Sequence, residues 1–156
     1  MTIINRIWSM PNKETFTIKP IKEIIERYRC AWLDPFPYPY KEDALIYLKR
    51  FNDNSQEGVL FDPPYSPRQL KECYESQGMV LHDTTSGVWR QWKDEIARVI
   101  KPGGICLSCG WSTQGLGKGR GFEIIEILLV PHGGNHNDTI VTVERKIELR
   151  QAGEQE

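Results

Sequence analysis

Hydrophobic positions along this chain switch between a helical period and short continuous runs. Ile18, Ile21, Ile24, Ile25 and Tyr28 share one helical face, and Pro20 falls in the first turn, where no amide donor is needed. Cys30 to Leu33 is a short apolar run that ends at Asp34 and Pro35, the pattern of a buried strand delivering an acid at its carboxyl end. The proline-rich stretch from Pro35 to Tyr40 cannot be helical. Ala44, Leu45, Leu48 and Phe51 predict a second amphipathic helix over Glu42 to Phe51. Gly58 to Phe61 reads as a strand that exits through Asp62. Ser66 and Pro67 cap a third helix to about Gln77, and Val88 to Ile100 forms a fourth, closed by the turn Lys101-Pro102-Gly103-Gly104. Three more strands follow: Ile105 to Trp111, Phe122 to Val130, and Thr139 to Ile147. The turn-rich Pro131 to Asp138 makes the last two an antiparallel hairpin. Strands alternating with helices predict an α/β sheet, mainly parallel with an antiparallel edge. Ligands of such sheets gather beyond the carboxyl ends of the strands, where Asp34 and Asp62 both fall.

Composition narrows the organisation. A chain of 156 residues and 18.1 kDa, 39% hydrophobic and 26% charged, suits one globular domain over residues 1–150 with a disordered tail over 151–156. No apolar run approaches the roughly 20 residues of a membrane span, and the start lacks the apolar core of a signal peptide, so a soluble, cytoplasmic protein is expected. Four cysteines are then expected as free thiols. Cys106 and Cys109 lie three apart in a strand and face opposite sides, which argues against a shared zinc ion. With 20 Lys+Arg against 21 Asp+Glu, nucleic-acid binding would need a local basic patch.

Asp62-Pro63-Pro64-Tyr65 carries the chemistry. An exocyclic amine is a poor nucleophile because its lone pair is delocalised into the ring. Acceptors that bind its hydrogens favour a tetrahedral nitrogen and stabilise the developing charge. The Asp62 carboxylate can be one acceptor and the Pro63 carbonyl another, with Pro64 fixing the backbone and Tyr65 offering a face on which an extruded base stacks. An ordinary strand-ending turn has the same composition. The best basic loop is Gly115-Leu116-Gly117-Lys118-Gly119-Arg120-Gly121, which fits neither the dinucleotide fingerprint nor a P-loop. It can contact phosphates through Lys118 and Arg120, or be a solvated hairpin connection. Trp111 can wall a base pocket or pack in the core. His132, His136 and Asp138 have metal-ligand chemistry but no convergent spacing, so no metal is expected.

Asp62-Pro63-Pro64-Tyr65 resembles the catalytic motif of the N6-adenine and N4-cytosine methyltransferases. Thr17-Ile18-Lys19-Pro20 resembles the helix start that helps hold the methionine end of their cofactor, and Trp32-Leu33-Asp34-Pro35-Phe36 resembles their first strand and the opening of the cofactor loop. Ile96 to Gly104 is similar to the helix and turn before the fifth strand. These matches run from about Trp8 to Lys146, and the layout resembles the short adenine methyltransferases of phages and mobile elements. The resemblance implies a compact Rossmann-like methyltransferase sheet that uses S-adenosylmethionine to methylate adenine N6 in DNA. Its catalytic residues would be Asp62, Pro63, Pro64 and Tyr65. Lys19, Pro20, Asp34, Pro35 and Phe36 would hold the cofactor, and Trp111, Lys118 and Arg120 would contact DNA. Pro37-Tyr38-Pro39 stands where the family has a glycine turn, and the chain is too short for the whole cofactor half. Weak cofactor binding is therefore expected, with a homodimer or partner subunit completing the site. The alternative is a methyltransferase homologue that binds nucleic acid or a partner without catalysis.

Overall fold

The computed structural model describes residues 1–79 and 87–148; the expected tail over 151–156 lies outside them. Six strands form one sheet: β1 (Ile3–Arg6), β2 (Trp32–Leu33), β3 (Gln56–Phe61), β4 (Ile100–Gly110), β5 (Phe122–Val130) and β6 (Thr139–Lys146). Their order is β1-β5-β6-β4-β3-β2. The pairs β1·β5, β2·β3 and β3·β4 are parallel, whereas β6 runs antiparallel to both β4 and β5. This is the mainly parallel α/β sheet with a C-terminal hairpin that the pattern predicts. Among the described residues no strand lies beyond β2, so the sheet ends there.

The two faces carry separate cores. Helix α1 (Lys19–Tyr28) buries Pro20, Ile21 and Ile24 against Leu60, Ile105, Leu107, Val141 and Val143. It ends where Arg29 enters the left-handed region, φ 49°. The opposite face packs α2 (Ala44–Leu48), α3 (Pro67–Ser76) and α4 (Gly87–Val99) around Leu48, Leu70, Trp92 and Ile96. Cys106 belongs to this core and Cys109 to the other, as expected of residues three apart in a strand.

Several elements differ from the sequence pattern. Helix α2 is shorter than Glu42 to Phe51. The Asp43 carboxylate accepts the Leu45 and Ile46 amides at 2.9 and 3.1 Å, which sets the start at Ala44. Arg98 donates to the Leu48 and Phe51 carbonyls, at 3.2 and 2.8 Å, and satisfies the other end. Lys101 to Gly104 is a bulge inside β4 rather than a turn before it. Gln56 pairs with Ile100 and Gly58 already with Ile105, so the extra residues arch out of the ladder. Gly104 permits this, since a Cβ there would meet the Lys101 carbonyl at 2.8 Å. Strand β1 was not expected; its four residues are all exposed, so no alternation marks them.

The glycine-rich segment is not a hairpin connection. Strands β4 and β5 are parallel and separated by β6, so residues 111–121 must cross from one end of the sheet to the other. The segment does so over β6. The fully buried Glu144 carboxylate accepts the Leu116 and Gly117 amides at 2.7 and 2.8 Å. A Cβ on Gly115, at φ +49°, would overlap that carboxylate.

On the other face Glu126 of β5 anchors α1. Its carboxylate takes both Arg27 nitrogens, at 3.0 and 2.7 Å, and the Tyr28 hydroxyl at 2.6 Å. Burial would raise this carboxyl, but the Arg27 and Tyr28 bonds hold it below its ordinary value. Arg27→Ala should cost about 1–3 kcal/mol in urea denaturation, because it strands a buried carboxylate. Adding Glu126→Gln should recover part of that loss.

Candidate functional site

Strand β3 positions the central motif. Its inner residues Gly58 to Phe61 are buried between β2 and β4, and Asp62 is the first residue beyond the ladder. Gly58 is required because a Cβ there would lie 2.7 Å from the Trp32 ring of β2. After buried Pro63 and Pro64, the Ser66 hydroxyl caps α3 by accepting the Gln69 amide at 3.2 Å. The Gln69 side chain reaches back to accept the Tyr65 amide at 2.8 Å. The Trp89 indole of α4 donates to the Pro64 carbonyl at 3.0 Å. The motif is thus held from both sides.

Asp62 and Asp34, the acids at the ends of β3 and β2, line one cleft of about 240 Å³ with Thr15, Phe36, Tyr38 and Tyr40. The Tyr65 hydroxyl donates to Asp62 Oδ1 at 2.6 Å. Burial raises the Asp62 carboxyl, against the Thr15 and Tyr65 hydroxyls, which favour its charged form. Asp34 accepts the Phe36 amide at 3.0 Å. Burial, opposed by that amide and reinforced by the nearby Asp62 charge, pushes Asp34 up to about 6. Phe36 is buried under the cleft floor against Trp92, ring centroids 4.8 Å apart.

A second hollow of about 260 Å³ opens on the other flank of the motif, walled by Pro63, Tyr65, Trp89, Lys93, Trp111 and Gln114. Tyr65 meets Trp111 edge to face at 5.3 Å, and Trp111 is 48% exposed at the carboxyl edge of β4. The motif forms the ridge between the two hollows, with its acid in one and Pro63 and Tyr65 in the other.

The remaining sequence candidates are placed as follows. Lys19 is exposed at the start of α1 and is not part of the cleft wall, while Pro20 and Pro35 are buried. The cleft is closed instead by the short turn Thr15–Thr17 and by Lys13. Thr17 belongs to the Thr-x-Lys-Pro pattern; Lys13 and Thr15 carry no pattern of their own. Lys118 is exposed, whereas Arg120 is tied to Asp94 at 2.8 Å and to the Leu116 carbonyl at 3.1 Å. His132 Nδ1 donates to the Ser9 carbonyl and Nε2 accepts from the Thr139 hydroxyl, both at 2.8 Å. This histidine is a structural clamp. Among the described residues no group of three His, Cys, Asp or Glu could hold a metal, and no helix is long and apolar enough to cross a membrane.

No protein-family model matches the chain, and no curated protein matches it. Among solved structures, a Thermus thermophilus protein described provisionally as a DNA modification methylase is similar over 72% of this chain and 55% of its own, at 18% identity and a TM-score of 0.46. A Haemophilus influenzae protein described provisionally as a methylase is similar over 92% of this chain and 66% of its own, at 10% identity and a TM-score of 0.35. The chain thus spans about half the length of the Thermus protein.

The Asp34 carboxyl lies above its ordinary value of 3.8, so its protonated form favours the native state. That stabilisation is present below the ordinary value and is lost as pH rises through about 6. Asp34→Asn should melt like the parent at about pH 3 and at a progressively higher temperature than the parent up to about pH 7. Thermal melts across that range measure the difference.

Proposed function

We propose that this chain is an amino-methyltransferase that uses S-adenosylmethionine to methylate an exocyclic amine of nucleic acid, with adenine N6 in DNA as the substrate. The observation that carries the reading is the ridge of Asp62, Pro63 and Tyr65 between two hollows, one acidic and one aromatic. A transfer between two ligands needs that layout: each ligand has its own recess, and the acceptor groups stand at the boundary.

The residues of the acidic cleft fit S-adenosylmethionine in part. The Asp34 carboxylate suits its ammonium group, and Phe36, Tyr38 and Tyr40 supply apolar and aromatic wall. Lys13 can take the carboxylate, a role that the sequence resemblance assigned to the Lys19 region. The backbone cradle is reduced: Pro37 and Pro39 have no amide, and the Phe36 amide is already bonded to Asp34. When bound, this cofactor supplies an electrophilic methyl group. The protein's own part lies at the amine. Asp62 accepts one amine hydrogen once the Tyr65 hydroxyl gives way, and the Pro63 carbonyl takes the other. The Tyr65 ring, backed by Trp111, provides the stacking face, and Pro64 is held still by Trp89. Exposed Lys118 lies beside Met1, Thr2 and Ile124 at the start of β5, away from the ridge, so any phosphate contact there is remote from the acceptor groups; Arg120 holds the loop.

A second reading, binding of nucleic acid or a partner without catalysis, is favoured by the proline loop and by the Tyr65 hydroxyl resting on Asp62. Methyl transfer to adenine-rich DNA separates the two. If the chain is active, Asp62→Ala should lower turnover by roughly 100-fold or more with a smaller change in cofactor affinity. Equal activity of mutant and parent would refute the assignment of Asp62. Calorimetric titration of the isolated chain with S-adenosylmethionine should give affinity no better than high micromolar, since two or three charged hydrogen bonds at roughly 1.5–3 kcal/mol each are missing from the loop. Low-micromolar binding would show that Pro37 to Pro39 forms a competent loop of another kind.

A further inference from the structure

Strand β1 leaves one edge of the sheet open. Among the described residues it pairs only with β5. The Ile7 and Ser9 amides donate to the Leu129 and Pro131 carbonyls, so odd-numbered residues of this segment face β5. By alternation Thr2, Ile4, Arg6 and Trp8 turn their amides and carbonyls outward. Of the usual protections of an edge, Ile3–Arg6 has short length and the charge of Arg6, but no proline, no lysine and no bulge. It is also apolar on both faces. Ile3, Ile4, Ile7, Trp8 and Met10 are between 47% and 67% exposed.

The geometry points to a second copy of this chain as the occupant of that edge, paired antiparallel through β1 about a two-fold axis perpendicular to the sheet. Such an axis preserves the faces, so each residue pairs with one of its own parity. Centring it on Asn5 places Ile4 opposite the second copy's Arg6 and Thr2 opposite its Trp8. These are the outward-facing residues, so each pair exchanges both backbone bonds. The same register sets Ile3 against Ile7 of the other copy. Moving the axis to Arg6 would oppose two guanidinium groups, and moving it to Ile4 would set Ile7 against Met1 and leave Trp8 without a cross-strand partner. The four apolar side chains that find partners, Ile3, Ile4, Ile7 and Trp8, expose at most roughly 500 Å² per copy, so the pair is a small interface that relies on its backbone bonds as well as on apolar cover. This dimer is independent of the proposed methyl transfer. Strand β2 lies at the opposite edge, so the partner cannot complete the cofactor cleft. The antiparallel pairing points the two clefts in opposite directions.

Sedimentation equilibrium of the chain should show a mass rising from 18.1 kDa towards twice that value over the micromolar range. Ile4→Lys, at an exposed position, should keep the parent's melting temperature and remain monomeric at concentrations where the parent has dimerised. Asn5→Cys places the new thiols on the axis and should give an interchain disulfide on mild oxidation. Trp8→Cys, six residues out of register with itself, should give little more than the parent. A parent that stays monomeric at several hundred micromolar overturns the inference, as does a dimer unaffected by Ile4→Lys. Equal cross-linking of Asn5→Cys and Trp8→Cys overturns the register. A parent that pairs only with a different protein at this edge also overturns the two-fold arrangement.

Discussion

The buried Glu144 carboxylate is the interaction on which the arrangement of this sheet depends. Two parallel strands, β4 and β5, are joined by residues 111–121 alone, where a helix ordinarily makes the crossover. A segment with no more than the short 3-10 turn Lys118–Arg120 must find partners for its amides, and the Glu144 carboxylate near the end of β6 accepts two of them. Burial raises that carboxyl, while the Leu116 and Gly117 amides and the nearby Lys93 and Arg120 charges favour its ionised form. The glycines follow from the same contact: a loop lying directly on a carboxylate has no space for a side chain at residue 115. Held flat, the loop leaves the carboxyl edge of β4 open, and Trp111 stands exposed beside the ridge of Asp62 to Tyr65.

The ridge depends on a different device. Two prolines stiffen the chain, and three bonds hold what they cannot: Trp89 to Pro64 and Tyr65 to Gln69 tie it to neighbouring helices, and Tyr65 to Asp62 closes it on itself. The rings of Trp89, Trp92 and Phe36 run in edge contact from the motif to the floor of the acidic cleft. The two hollows therefore share a wall of rigid aromatic residues, with buried Trp92 at its centre.

Much of this was legible in the sequence because the relevant signals are local. The spacing of Ile21 and Ile24, the apolar run before Asp62, and Ser66-Pro67 each describe a neighbourhood of a few residues, and the structure follows them. The joint cleft of Asp34 and Asp62 followed from the rule for strand ends. What escaped depends on distant partners. Strand β1 is ordered by β5, more than a hundred residues away, and shows no alternation because neither face is covered. Gly115 is explained by Glu144, and the bulge at Lys101 to Gly104 by the register of β3. Thr15 and Lys13 reach the cleft through a short turn that no periodicity announces.

The sheet order also makes the placement of β1 a long-range event. Strand β1 precedes the other five strands in the chain, and it docks on β5, which is itself held by β6, so its neighbour is supplied only by residues 122–146. Contacts that join such distant segments form slowly, because the intervening chain must be ordered first. Ile3 and Ile4 consequently have no strand to rest on until a segment more than a hundred residues further along the chain has taken its own place.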